Sequence, residues 1–207
     1  MIDEKAALIA ERAAFYQTLT ELADEDWDAD SLCDGWRVRD VAAHAHLGAT
    51  MGIGAALTGM LRARGSFDRF MVSYVPAQGS KPISEILLVW SDVAHSSRIP
   101  PNLKTVGQAV DVFVHHHDVA LPLGRSVPSD PARLRWLADG MVSAGRPIGS
   151  AARVEGLRLI ATDIDWHYGT GPEVTGPTAA IILAGCGRGA LDDQLTGDGV
   201  AELQRRR

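Results

Sequence analysis

The chain has 207 residues, of which 46% are hydrophobic and 22% charged, and its formal net charge is −6. This composition is typical of a globular protein with a sizeable core, and it excludes a disordered or fibrous chain. The negative charge argues against a nucleic-acid partner, because the one basic run, at residues 205–207, is too small to form a phosphate-binding stripe.

Cysteine usage and hydropathy indicate a cytoplasmic protein. The two cysteines, Cys33 and Cys186, are too few and too far apart for a disulfide framework or a cysteine-ligated zinc knuckle, so each is expected to be a small buried hydrophobe. The first twelve residues carry neither a basic segment nor an apolar one, so no secretion signal is expected. No apolar run reaches the length of about 18 residues that a membrane span needs.

The N-terminal half predicts four amphipathic helices. Apolar residues recur every three or four positions from Ile2 to Leu22, which predicts the first helix. A polar loop follows, and a second helix is expected to begin near residue 38 and run toward Leu61. Residues 62–82 show little period and predict an irregular connection, after which a third helix covers 83–97 and a fourth about 106–121. Four such helices favour an antiparallel bundle.

The remainder of the chain changes character and predicts a small α/β lobe. A helix is expected from Pro131, with Asp130 as its N-cap. Residues 157–168 alternate imperfectly and predict one strand with a bulge near 162–165. A short buried helix is expected to start after Pro177. These patterns place one domain at residues 1–125 and a second at 126–207.

Three side chains have the spacing of a catalytic metal site. Asp111 and His115 are four residues apart, so on a helix they project from one face, and His44 lies on a second helix. Three protein ligands with one open position are typical of a catalytic divalent cation. The alternatives are an ordinary ion pair between Asp111 and His115 and a hydrogen-bonded or surface role for His44. His46 faces elsewhere and is expected at the surface or behind the ligands.

Three segments carry a resemblance to a known family. They are LCDGWRVRDVAAHAHLG, VDVFVHHHDVALPLG and the stretch from TDIDWHYG to GDGVAEL, and they resemble the mycothiol-dependent maleylpyruvate isomerase family in matching order along the chain. The resemblance implies a mainly α fold, in which a DinB-like antiparallel four-helix bundle that binds metal precedes a small C-terminal α/β lobe.

The resemblance also implies roles for individual residues. It places the metal ligands at His44, Asp111 and His115, although the family usually has glutamate where this chain has Asp111. Asp118 follows as a group that could orient His115, or else a solvated helix residue. Arg188 is the expected catalytic and cofactor-binding residue, contacting substrate or thiol, unless it only satisfies carbonyls at a helix end.

The implied function is that of a metal-dependent enzyme. A divalent cation, zinc or else nickel, would hold mycothiol as its thiolate, and the thiolate would attack a small electrophilic substrate. Isomerisation or thiol transfer would follow, in a monomer or a homodimer. The alternatives are a non-catalytic metal or small-ligand sensor on the same bundle, and a bundle that has lost its metal and serves as an interaction module.

Overall fold

Helices dominate the computed structural model, which describes residues 2–100, 103–145 and 148–207. The mainly α class predicted from the sequence is confirmed. No helix in these ranges is long and apolar enough to cross a membrane. The helices are α1 (Glu4–Thr20), α2 (Val38–Ala45), α3 (Leu47–Thr50), α4 (Ile53–Arg62), α5 (Phe67–Gly79), α6 (Ile83–Val93), α7 (Thr105–Ala120), α8 (Pro131–Ser143), α9 (Ser150–Val154), α10 (Thr178–Gly185) and α11 (Val200–Arg205), and the strands are β1 (Arg158–Ala161), β2 (His167–Tyr168) and β3 (Glu173–Gly176).

The described residues form two compact units, and helix α7 contributes to both. The first unit contains the described part of residues 8–104 and residues 115–126. The second contains residues 2–7, 105–114 and the described part of 127–207. The predicted domain boundary at residue 125 stays a prediction.

The core of the first unit is built around Trp90 of α6. This indole is fully buried, its ring centroid lies 4.8 Å from that of Phe15 on α1, and its N–H donates to the Ala42 carbonyl of α2 at 2.9 Å. Phe15 in turn stacks on His116 of α7 at 4.9 Å. Four helices predicted from the sequence thus share one core, and the burial of these aromatic rings supplies much of its stability.

The predicted second helix is interrupted, and the predicted irregular connection contains a helix. The chain is extended at Met51 and Gly52, which separates α3 from α4. Two glycines within three residues, Gly52 and Gly54, weaken a continuous helix. Helix α5 was missed because residues 62–82 show little apolar period, and it contains Pro76, yet it buries Phe70 and other apolar side chains against Leu47 of α3. Burial of this face outweighs the local cost of proline.

Helices α5 and α2 approach closely at Gly79, so adding a methyl group there should lower the stability of the protein. A Cβ atom at Gly79 would lie 2.0 Å from Asp40 Oδ1 and 2.9 Å from Asp40 Cα. We therefore expect Gly79→Ala to lower the free energy of unfolding by about 1–3 kcal/mol in urea denaturation, because backbone must move to admit the methyl group. The control is Gly54→Ala on α4, where nothing lies within 4 Å, and it should be neutral or stabilising by up to about 1 kcal/mol. Equal midpoints for the two variants would contradict the packing described.

The second unit contains a three-stranded sheet in the order β2-β1-β3. Strand β1 pairs antiparallel with β2 and parallel with β3. The single bulged strand predicted over 157–168 is therefore wrong: residues 162–166 turn the chain back, and the Ala161 N–H donates to the Trp166 carbonyl at 3.0 Å. Helix α10 is buried as predicted, and the Asp130 carboxylate caps α8 by accepting from Ala132 N at 3.0 Å.

Candidate metal centre

The histidines that the sequence singled out on two separate helices meet in the first unit. The ring centroids of His44 on α2 and His115 on α7 lie 4.8 Å apart, and the planes are nearly perpendicular. Trp36 covers His44, with ring centroids 5.0 Å apart. His115 is buried and His44 is half-buried. Two imidazoles at this separation can offer nitrogen ligands to a common ion.

Asp111 lies one helical turn before His115 on α7, as the spacing predicted. It is half-buried, and one of its oxygens accepts a hydrogen bond from Gln108 Nε2 at 3.2 Å. Ligand atoms of His44, Asp111 and His115 all lie within 4.8 Å of one another. Around a tetrahedral ion with bonds of about 2 Å, neighbouring ligand atoms are about 3.3 Å apart, so the three side chains are near enough to be candidate ligands of one ion.

Asp118 fixes the orientation of the His115 ring. His115 Nδ1 donates to Asp118 Oδ2 at 2.9 Å, and the Asp118 side chain is fully buried. Of the two sequence interpretations of Asp118, the solvated helix residue is therefore wrong. A carboxylate accepts but does not donate, so it holds the proton of the neutral imidazole on Nδ1 and leaves the Nε2 lone pair for another partner.

Cys33 is a member of the site that sequence reasoning missed. Its Sγ donates to the same Asp118 oxygen at 3.1 Å and lies 3.9 Å from His115 Nδ1. The Cys33 thiol thus belongs to a polar cluster with His115 and Asp118, whereas the sequence predicted an inert buried hydrophobe. No spacing rule could have found it, since 82 residues separate Cys33 from His115 and the loop that carries it has no period. Cys186, in contrast, is buried as expected, and desolvation raises the pKa of its thiol to about 12.

His46 and His116 are buried histidines of the core. Burial lowers the pKa of His46 to about 4, and its Nδ1 lies 3.1 Å from the Thr50 hydroxyl. A surface position for His46 is therefore wrong. Burial likewise lowers the pKa of His116 to about 3, and its Nε2 lies 2.7 Å from the Thr18 hydroxyl. Both rings are neutral at physiological pH and pack as core side chains.

Arg188 lies just beyond α10 in the second unit and is half-buried. Its guanidinium donates to the Cys186 carbonyl at 3.4 Å, and its backbone N–H donates to the Leu183 carbonyl at 2.8 Å. These contacts with carbonyls at the end of a helix fit one of the two sequence interpretations. The role of Arg188 toward substrate or thiol stays a prediction.

A separate cleft of about 460 Å³ lies between α4 and α5. Its lining includes three arginines and two aromatic residues: Arg62, Arg64, Arg69, Phe70 and Tyr74. None of the candidate residues on α2 and α7 contributes to its lining. This cleft is therefore distinct from the histidine cluster.

Comparison with known proteins agrees with the resemblance read from the sequence. Residues 8–82 match the family model of the mycothiol maleylpyruvate isomerase N-terminal domain. This segment is about a third of the chain and is similar to that N-terminal domain. The matched segment includes Cys33 and His44, whereas Asp111, His115 and Arg188 lie beyond it.

Two solved structures share the overall fold of this chain. They are crystal structures of the mycothiol-dependent maleylpyruvate isomerase and of a histidine-to-alanine mutant of it. Each matches with a TM-score of 0.62 and 17% sequence identity over 95% of this chain and 92% of the other. The predicted fold class, a DinB-like bundle with a small α/β lobe, is confirmed. No curated protein sequence matches the chain.

Proposed function

We propose that this chain is an enzyme in which His44, Asp111 and His115 bind a divalent cation that activates a low-molecular-weight thiol such as mycothiol. The observation that carries the proposal is the meeting of two imidazoles from α2 and α7, one of them fixed by a buried carboxylate at its other nitrogen. The similar solved structures are named as mycothiol-dependent maleylpyruvate isomerase, and residues 8–82 match the family model of that enzyme's N-terminal domain. We propose the same class of reaction here.

The residues present fit a metal by the chemistry of their donor atoms. Two imidazole nitrogens and one carboxylate oxygen suit zinc or nickel, and this ligand type does not choose between them. The buried Asp118 beside His115 Nδ1 supplies the carboxylate that usually supports a ligating histidine. Asp111 is one methylene shorter than the glutamate usual in the family, so its helix must lie nearer the ion or a water must bridge.

The chain's own residues would position and activate the reactants. When bound, a divalent cation would lower the pKa of a coordinated thiol, so that a thiolate exists at neutral pH. Because Asp118 holds Nδ1 of His115 protonated, Nε2 is the nitrogen that would bind the cation. We propose that Arg188 pairs with a carboxylate of the substrate or of the thiol, for which a guanidinium is well suited.

The proposed reaction begins with attack of the thiolate sulfur on an electrophilic carbon of an unsaturated substrate. The carbon–sulfur bond forms as the electron pair of the double bond moves onto the conjugated carbonyl oxygen, and the adduct can then rotate about the resulting single bond. Loss of the thiol then restores the double bond and completes an isomerisation without net change in composition. Uptake of a proton from solvent by the adduct, followed by its release, would instead be thiol transfer.

A second candidate is a non-catalytic metal or small-ligand sensor. The shorter Asp111 favours it, together with the hydrogen bond that Gln108 donates to that carboxylate. The two functions differ in coordination: a catalytic site keeps a position open for a thiol, whereas a structural or sensing site is closed by a fourth protein ligand.

Thiol binding tests the proposal. We expect untagged protein purified with its metal to bind mycothiol in a calorimetric titration, and the same protein stripped with a chelator to lose that binding. Equal thiol affinity with and without metal would contradict the proposal. Binding without turnover of maleylpyruvate or a related unsaturated acid would favour the sensor.

The proposed role of Arg188 can be tested separately through the steady-state kinetics of an alanine variant. Loss of a charge-assisted hydrogen bond to a carboxylate, worth about 1.5–3 kcal/mol, should lower kcat/KM of Arg188→Ala by about 10- to 150-fold, mainly through KM. Arg158→Ala is the matched control, because that side chain is half-exposed and forms an ion pair with Glu173 at 3.7 Å.

A further inference from the structure

We infer that Cys33, His115 and Asp118 form a second position for a thiophilic divalent cation, and that this position excludes occupancy of the proposed triad. One sulfur, one nitrogen and one oxygen ligand converge there within the first unit. The second position shares His115 with the triad of the proposed function. Competition between the two positions therefore rests on the proposed function, whereas the existence of the second position does not depend on it.

The distances among the three donor atoms are close to those of a tetrahedral site. Sγ of Cys33 lies 3.1 Å from Asp118 Oδ2 and 3.9 Å from His115 Nδ1, and those two atoms are 2.9 Å apart. With zinc bonds of about 2.3 Å to sulfur and about 2.0 Å to nitrogen or oxygen, tetrahedral geometry places such pairs about 3.3 to 3.6 Å apart. Shifts of a few tenths of an ångström therefore suffice.

The three ligands are already held in place by the fold. Asp118 is fully buried on α7, and its backbone carbonyl accepts from Leu32 N at 3.0 Å, which ties the cysteine loop to the helix. The Ser31 hydroxyl donates to the Trp36 carbonyl at 2.7 Å and accepts from Cys33 N at 3.1 Å. Cys33 itself is half-buried, so an ion can approach from the thiol side. Preorganised ligands reduce the entropy cost of binding.

Proton accounting shows why the two positions exclude each other. Without metal, the thiol and His115 Nδ1 each donate a proton to Asp118 Oδ2. A cation at this position replaces both protons: the thiol proton leaves to solvent, and the imidazole proton moves from Nδ1 to Nε2. A neutral imidazole has one lone pair, so His115 then has none left for the triad.

The thiolate ligand determines which ions prefer this position. Soft thiolate favours zinc or cadmium over magnesium or calcium, which prefer oxygen ligands. A thiophilic ion at Cys33 would thereby withdraw His115 from the proposed site, while a harder ion would leave it in place.

Cadmium binding to untagged full-length protein tests the inference. We expect one equivalent of Cd²⁺ to produce a thiolate-to-cadmium absorption band in the ultraviolet. Cys33→Ser should lose the band, and Cys186→Ser should keep it, because the other cysteine is buried and outside the cluster. X-ray absorption spectroscopy of the unmodified protein should show one sulfur in the cadmium shell. Absence of sulfur, or a band that survives in Cys33→Ser, would overturn the inference.

A variant of the proposed site separates the two hypotheses. His44→Ala removes a triad ligand but none of the three ligands of the second position, so the cadmium band should be retained at full intensity. Loss of the band in His44→Ala would mean that Cys33 belongs to one combined site, and the second position would not exist. Loss of thiol binding in His44→Ala with the band retained would support both proposals together.

Discussion

Replacement of His115 by alanine is expected to empty both metal positions, because this imidazole belongs to both sets of candidate ligands. Removing a partner behind a metal ligand usually costs 10- to 100-fold in affinity, so loss of the ligand itself should cost more than about 100-fold. Metal content after dialysis should fall from one equivalent to near zero. Circular dichroism should show the helices retained, since four helices and the Trp90 core do not depend on this ring.

The control for this experiment is His95→Ala, which removes an exposed histidine. It should keep the full equivalent of metal, and so exclude a general effect of histidine loss. A His115→Ala protein that still holds one equivalent after dialysis would show that the assignment of the ligands is wrong.

Replacement of Trp90 by alanine is expected to have the largest effect on stability. The indole is fully buried, contacts Phe15, and donates to the Ala42 carbonyl at 2.9 Å, so its loss removes packing from three helices at once. Truncation of a buried tryptophan costs about 3–5 kcal/mol, which is a large part of the total stability of a domain. Urea denaturation monitored by circular dichroism should show the midpoint shift.

Two further variants separate the contributions of Trp90. Leu88 lies on the same helix but is 69% exposed, so Leu88→Ala should change the free energy of unfolding by less than about 0.5 kcal/mol. Trp90→Phe keeps most of the apolar volume and loses the hydrogen bond, leaving the buried Ala42 carbonyl without that donor at a cost of about 1–3 kcal/mol. A cost for Trp90→Ala no greater than that of Leu88→Ala would contradict the central position of the ring.

Strongly periodic helices with clear ends could be predicted from the sequence. Helix α7 extends within one residue of its expected range, and α8 begins at Pro131 after an Asp130 cap, because capping and a 3.6-residue period are local properties. Helix α5 and the turn at residues 162–166 could not be predicted in this way. In both, contacts from distant segments outweigh local preference: α5 is held by burial against Leu47, and β1 by pairing with two later strands.

The candidate site likewise has features that could be predicted from the sequence and features that could not. The sequence by itself determined that Asp111 and His115 share a helix face, because four residues make about one turn. It also carried the family resemblance that singled out His44. Only the tertiary structure decided that His44 meets His115, that a buried Asp118 holds the His115 ring, and that Cys33 joins this carboxylate across 85 residues of chain. The physical reason is that sequence spacing reports contacts only between residues within one or two helical turns of each other. The packing of helices against one core brings together residues that are far apart in sequence, and their spacing along the chain does not predict that contact.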